Sequence, residues 1–84
     1  MTQQEVLATC TRVLRDLLAD DSIELTMETT RASVPNWDSF IYVTFIAALE
    51  MQLGIRFRVA DVEAFATVGD IVNEALRQLQ GKRG

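Results

Sequence analysis

This chain is predicted to fold as an all-α four-helix bundle, and three features of its sequence lead there. Thr2-x-x-Glu5 and Thr67-x-x-Asp70 both have the form of a capping box, in which a hydroxyl and a carboxyl three residues apart satisfy each other's backbone N–H groups at a helix start. Between Asp38 and Gly54 apolar residues recur at helical spacing. The two short stretches that alternate like strands have no partner strand. Three long helices, one short third helix and a long first loop are therefore expected, within one domain spanning residues 1–84. A chain of 84 residues is near the size where one core becomes marginal, and per-residue averages give an expected stability of roughly 4–13 kcal/mol.

The first helix opens at Thr2 and is expected to reach about Leu18, with Val6, Cys10, Val13, Leu14 and Leu17 on its apolar stripe. Cys10, the only cysteine, has no partner for an intramolecular disulfide and reads as an inert buried thiol. Asp20-Asp21 break the pattern. From Ser22 to Asn36 runs a connection in which Ile23, Leu25 and Met27 alternate with polar residues, read here as a loop pinned by apolar anchors. The second helix is expected from Ser39 to about Leu53, capped by Asp38 and stopped by a left-handed Gly54, with Tyr42, Phe45, Ile46, Leu49 and Leu53 on one stripe. With Asp38 at the cap, Trp37 and Tyr42 occupy the two positions of a hydrophobic staple. A turn or two at Asp61 to Phe65 and a last helix from Thr67 through Ile71, Ala75, Leu76 and Leu79 complete the bundle. Lys82 and Arg83, in the Gly81–Gly84 tail, read as a solvated terminus.

Composition removes several function classes. The formal charge is −4, and no stripe of Lys or Arg exists to displace counterions from phosphates, so no nucleic acid is expected as a partner. The chain has no histidine, so no side chain titrates near neutrality to serve Ser39 as a general base, and a Ser-His-Asp nucleophile is excluded. Walker, dinucleotide, CxxC and HExxH patterns are absent too, and no metal site is expected. Ser39 thus reads as an acceptor modified by another enzyme, and the chain as a non-enzyme. No apolar stretch is long enough to span a bilayer, and Met1 to Glu5 has no secretory n-region or h-region. A cytoplasmic monomer is expected.

Ser39 stands at the mouth of the second helix, where unpaired backbone N–H groups and the positive end of the dipole favour an attached anion. The run Val34-Pro35-Asn36-Trp37-Asp38-Ser39-Phe40, then Ala48-Leu49-Glu50, Leu53-Gly54-Ile55 and Thr67-Val68-Gly69-Asp70-Ile71-Val72, resembles an acyl carrier protein over nearly the whole chain. Phe40 stands where that family usually has Leu, which keeps an apolar contact.

The resemblance implies that a phosphopantetheinyl transferase, which recognises Asp38 beside the serine, moves a 4'-phosphopantetheine arm from coenzyme A onto Ser39. Acyl groups would then ride as thioesters on the arm between acyl-activating, ketosynthase or acyltransferase enzymes. It also implies an acyl tunnel between the second and third helices, lined by Val43, Leu49, Phe57, Val62 and Phe65, with the two phenylalanines crowding the mouth to suit short or medium chains. Partner enzymes would meet Phe40, Ile41, Thr44, Met51 and Arg56. Many fatty-acid carriers are acidic on the outer face of this helix, whereas here Ile41, Thr44, Ala48 and Met51 are offered, with Arg56 and Arg58 beyond. That difference favours a specialised fatty-acid, polyketide or modified-lipid pathway and more apolar docking, although the two arginines also read as solvated loop charges. An aminoacyl or peptidyl carrier, which usually presents Gly-Gly before the serine, and an unmodified helical adaptor remain as alternatives.

Overall fold

The computed structural model describes residues 1–81, and within them the chain forms α1 (Gln3–Leu18), α2 (Ser39–Leu53), α3 (Val59–Ala64) and α4 (Val68–Gly81), with a single 3₁₀ turn at Arg31–Ser33 in the long first loop. No strand occurs among the described residues, and the architecture is the expected four-helix bundle. Thr2 caps α1: its hydroxyl accepts from the Glu5 N–H at 3.1 Å while the Glu5 carboxylate accepts from the Thr2 N–H at 2.7 Å. The Thr2 backbone N–H, and after it the Thr2 hydroxyl, hold the Glu5 carboxyl below its ordinary value, because hydrogen bonds to the carboxylate favour the ion. Ala19 ends the helix in the left-handed region at φ 52°, and Gly54 does the same for α2 at φ 67°.

The core lies where α1 packs against both α2 and α4. Val6, Cys10 and Leu14 from α1, Phe45 and Leu49 from α2, and Val68, Val72 and Ala75 from α4 are its most deeply buried members. Burial pushes the Cys10 thiol up to about 12, so it stays protonated and unreactive, as the lone cysteine was expected to be. The loop anchors Ile23 and Leu25 are buried with them and Met27 is half-buried, which accounts for the alternation without a sheet.

The first loop is tied down by hydrogen bonds as well as by apolar anchors. The opening N–H groups of a helix have no intrahelical acceptor. In α4 the loop supplies them: the Val68 N–H donates to the Thr29 carbonyl and the Gly69 N–H to the Met27 carbonyl, each at 2.8 Å. A Cβ added at Gly69 would lie 2.6 Å from the Met27 oxygen, so glycine permits this approach. Asp70 and Thr67 exchange bonds at 3.2 Å as the second capping box requires.

Two boundaries differ from the sequence-based expectation. Helix α3 begins two residues before Asp61 and ends at Ala64, with Phe65 as its cap. Its N-cap, Arg58, makes no side-chain capping bond, so the residue types there carry no start signal. Gly81, expected in the tail, closes α4, while Lys82 and Arg83 lie outside the described residues.

Candidate functional site

Val34-Pro35-Asn36-Trp37 forms the turn that delivers the chain to α2. Asn36 sits at φ 70° and the Trp37 N–H reaches the Val34 carbonyl at 3.4 Å, the arrangement that Pro-Asn favours in a tight turn. This turn sends Trp37 inward, where it is 5% exposed and packs edge-on to Phe45 (ring centroids 5.1 Å apart) and tilted against Tyr42 at 6.2 Å. The staple between Trp37 and Tyr42 is present. Asp38 then faces outward and its carboxylate accepts from the Ile41 N–H at 2.9 Å. Ser39 follows as the first residue of α2, exposed at the positive end of the helix dipole.

Arg31 joins this site from the long loop. One guanidinium nitrogen, Nη1, donates to Ser39 Oγ at 3.4 Å, and the Arg31 Cζ lies 5.2 Å from the centroid of the Tyr42 ring, a cation–π distance. Around Ser39 is a surface groove walled by Arg31, Trp37, Asp38, Phe65 and Ala66. Arg31, Trp37, Phe65 and Ala66 also belong to the wall of a neighbouring cleft of about 300 Å³, which continues between Tyr42, Val62 and Ile71. That volume equals about ten water molecules at liquid density. The Tyr42 hydroxyl donates to the Val62 carbonyl at 2.8 Å across the cleft, joining α2 to α3, and burial raises its pKa. Trp37 Nε1 is buried with no acceptor in the structure, a condition that costs on the order of 1–3 kcal/mol.

The residues expected to line a tunnel are divided by the structure. Val62 and Phe65 line the cleft. Phe57 is buried behind it, edge-to-face on Phe65 at 5.5 Å, and Leu49 is fully buried in the main core. Val43 is corrected outright: at 63% exposed it lies on the outer face of α2 and does not line the cleft.

The most exposed apolar side of α2 does not coincide with all the residues expected to meet partners. Phe40 is 76% exposed and Met51 85%, and with Val43 and the exposed Ala47 they mark one side of α2 at spacings of three and four residues. Ile41, expected to point outward, is half-buried against the core, as is Ala48. Thr44 is half-buried and its hydroxyl donates to the Phe40 carbonyl at 2.9 Å. The difference arises because α2 is apolar nearly all round, so spacing alone does not say which residues beside the buried stripe are covered. Arg56 is exposed next to Met51 around a shallow hollow, with its N–H bonded to Gln78 Oε1 at 3.2 Å. Arg58 pairs with Asp61 at 3.1 Å on the surface.

Sequence reasoning missed Arg31. It lies eight residues before Ser39 in a loop with no periodicity, and its approach is set by the Met27 and Thr29 bonds to α4.

No family model matches the chain. Acyl carrier proteins from three strains of Clostridium perfringens are each 38% identical to it over 60 residues, which covers 71% of this chain and 79% of theirs. Among solved structures, the solution structure of holo acyl carrier protein from Geobacter metallireducens superposes with a TM-score of 0.84 at 31% identity, covering 92% of this chain and 88% of that one. With the capped, exposed serine heading α2 and a cleft beside it, these likenesses in sequence and fold establish that the chain belongs to the acyl carrier protein family.

Proposed function

We propose that the chain, acting as one carrier domain over residues 1–84, holds acyl groups as thioesters on a 4'-phosphopantetheine arm attached to Ser39. The observation that carries this reading is the exposed Ser39 hydroxyl at the capped start of α2, opening onto a groove that shares its walls with the cleft. The surroundings suit a phosphodiester. The first-turn N–H groups of α2 have no intrahelical acceptor, and the Arg31 guanidinium adds a positive charge within reach of Ser39 Oγ. When bound, the arm supplies a flexible tether and a terminal thiol, which raises the effective concentration of cargo at each partner enzyme.

The chain's own residues act mainly by presenting and sheltering. Asp38 fixes the first turn through the Ile41 N–H, so that Ser39 Oγ projects into solvent toward a phosphopantetheinyl transferase. That transfer would bond Ser39 Oγ to phosphorus in place of the nucleotide half of coenzyme A, and the hydroxyl proton would need a base on the transferase. This chain offers no histidine to take it. Cargo retreating along the groove would meet Val62, Phe65 and Ile71, and the small cleft favours short or medium chains. The exposed Phe40, Val43 and Met51 supply an apolar docking face for ketosynthase, acyltransferase or acyl-activating partners, with Arg56 at its edge. Such a face fits a specialised fatty-acid, polyketide or modified-lipid pathway. No helix among the described residues is long and apolar enough to cross a membrane, and the carrier is proposed to act as a cytoplasmic monomer.

The test is intact mass after incubation with coenzyme A and a broad-specificity transferase. Wild type should gain one phosphopantetheine and Ser39→Ala none. A gain in the variant would remove Ser39 as the attachment point, and no gain in either would favour an unmodified adaptor. The mass of the group carried in the native host separates acyl from aminoacyl cargo.

A further inference from the structure

Beside the exposed serine stands a guanidinium that has no ion pair among the described residues. Arg31 has five N–H donors, yet its one side-chain hydrogen bond is the 3.4 Å contact to a neutral hydroxyl, Ser39 Oγ. The ion pairs among the described residues join Arg58 to Asp61 and Arg77 to Glu74, and no carboxylate pairs with Arg31. Glu63, which lines the same cleft, forms no ion pair with it. The guanidinium is nonetheless held in position. Its face lies over Tyr42, which is itself fixed by its bond to the Val62 carbonyl. Two residues before it, the Thr29 carbonyl is bonded to the start of α4. A cation fixed without an anion, at a groove that opens on a modifiable oxygen, has the form of a receptor for one.

We propose that Arg31 anchors the phosphodiester of the arm on Ser39 and turns the root of that arm toward the cleft between α2 and α3. The proposal rests on the Ser39 reading above and names a residue whose role is positioning. A phosphorus bonded to Oγ brings its non-bridging oxygens within reach of a nitrogen already 3.4 Å from Oγ, and a guanidinium can offer two parallel donors to such a group. Arg31 also belongs to the walls of both the Ser39 groove and the cleft, so a phosphate drawn to it points the chain beyond along the shared wall. A second observation agrees. Trp37, in that same shared wall, carries a buried Nε1–H with no acceptor, and the amide and thioester carbonyls of a loaded arm are acceptors. Arg31 thereby links attachment to shelter: in the unmodified protein it waits on the hydroxyl, and in the loaded protein it biases the arm inward until a partner competes for the phosphate.

Wild type, Arg31→Gln and Arg31→Lys should each be prepared unmodified and fully loaded from coenzyme A, with intact mass proving one arm per chain. Thermal stability and the ³¹P resonance are then compared. In wild type, loading should raise the melting temperature and move the ³¹P signal away from that of a free phosphodiester, and added salt should weaken both effects. Loaded Arg31→Gln should show no stabilisation over its own unmodified form and a free-like, salt-insensitive resonance. Arg31→Lys keeps the charge but loses the planar fork and the stacking on Tyr42, and should fall between. Equal stabilisation and identical resonances in wild type and Arg31→Gln would overturn the proposal with the Ser39 reading intact. Absence of any mass gain in wild type would overturn the Ser39 reading, and the anchor with it.

Discussion

Replacing Gly69 with Ala sets two effects of opposite sign against each other. Alanine is the better helix former, worth about 1 kcal/mol over glycine in a helix interior. Gly69 is near the first turn of α4, where the gain is smaller. Against it, the new Cβ would stand 2.6 Å from the Met27 carbonyl oxygen, closer than such atoms pack, and that oxygen is backbone, so no flexible side chain can swing away. Overpacking of this kind costs roughly 1–3 kcal/mol. Relief requires the loop to move back, stretching the Gly69 and Val68 bonds to Met27 and Thr29, each worth about 0.5–1.5 kcal/mol. The net expectation is a destabilisation of about 2 kcal/mol, or roughly 8–16 °C in melting temperature for a domain of this size. Thermal and urea unfolding of the two proteins, followed by far-UV circular dichroism, measures it. Because the same displacement draws Arg31 away from Ser39, the loaded variant should also gain less stability from its arm than wild type does. A variant as stable as wild type, or more so, would refute the argument that the loop is clamped to α4 through the glycine.

On the outer face of α2, Phe40→Glu and Met51→Glu should each weaken binding to a cognate enzyme by more than about 1 kcal/mol if they are hot spots, with stability changed by no more than about 0.5 kcal/mol, since both side chains are largely exposed. Titration calorimetry at two salt concentrations reads this, and normal binding by both variants would move the docking surface elsewhere, with Arg56 next in line. Tyr42 provides a pH signature. Burial raises its pKa in the fold, so the stability from its neutral hydroxyl and the bond to Val62 is fully present below its ordinary value of 10 and is lost as pH climbs through the higher folded value. Melting curves of wild type and Tyr42→Phe should therefore converge in that alkaline range, and a gap that stays constant with pH would show that the hydroxyl contributes nothing there.

Most of the fold is written in local grammar. A threonine and a carboxylate three residues apart define the starts of α1 and α4, Asp38 and Gly54 bracket α2, and these signals work because a helix end needs partners for its own N–H and C=O groups whatever surrounds it. The same grammar pointed to Ser39, since its exposure follows from the cap beside it, and to the inert state of Cys10, since the apolar stripe around it is buried. Helix α3 was less legible, because Arg58 brings no capping bond and six residues show little periodicity. The buried stripe of α2 was legible from spacing, since Phe45, Ile46 and Leu49 are buried with Tyr42 and Leu53 packed beside them, but the faces flanking that stripe were not. That helix is apolar nearly all round, so that Val43 faces outward and Ile41 packs against the core is decided only by how the other helices pack on it. Arg31 is the clearest case of a residue decided by tertiary structure. Nothing within its loop directs it to Ser39. Two carbonyls bonded to the far end of the chain and a ring on α2 hold it there, and contacts between segments so distant in sequence leave no pattern in either one.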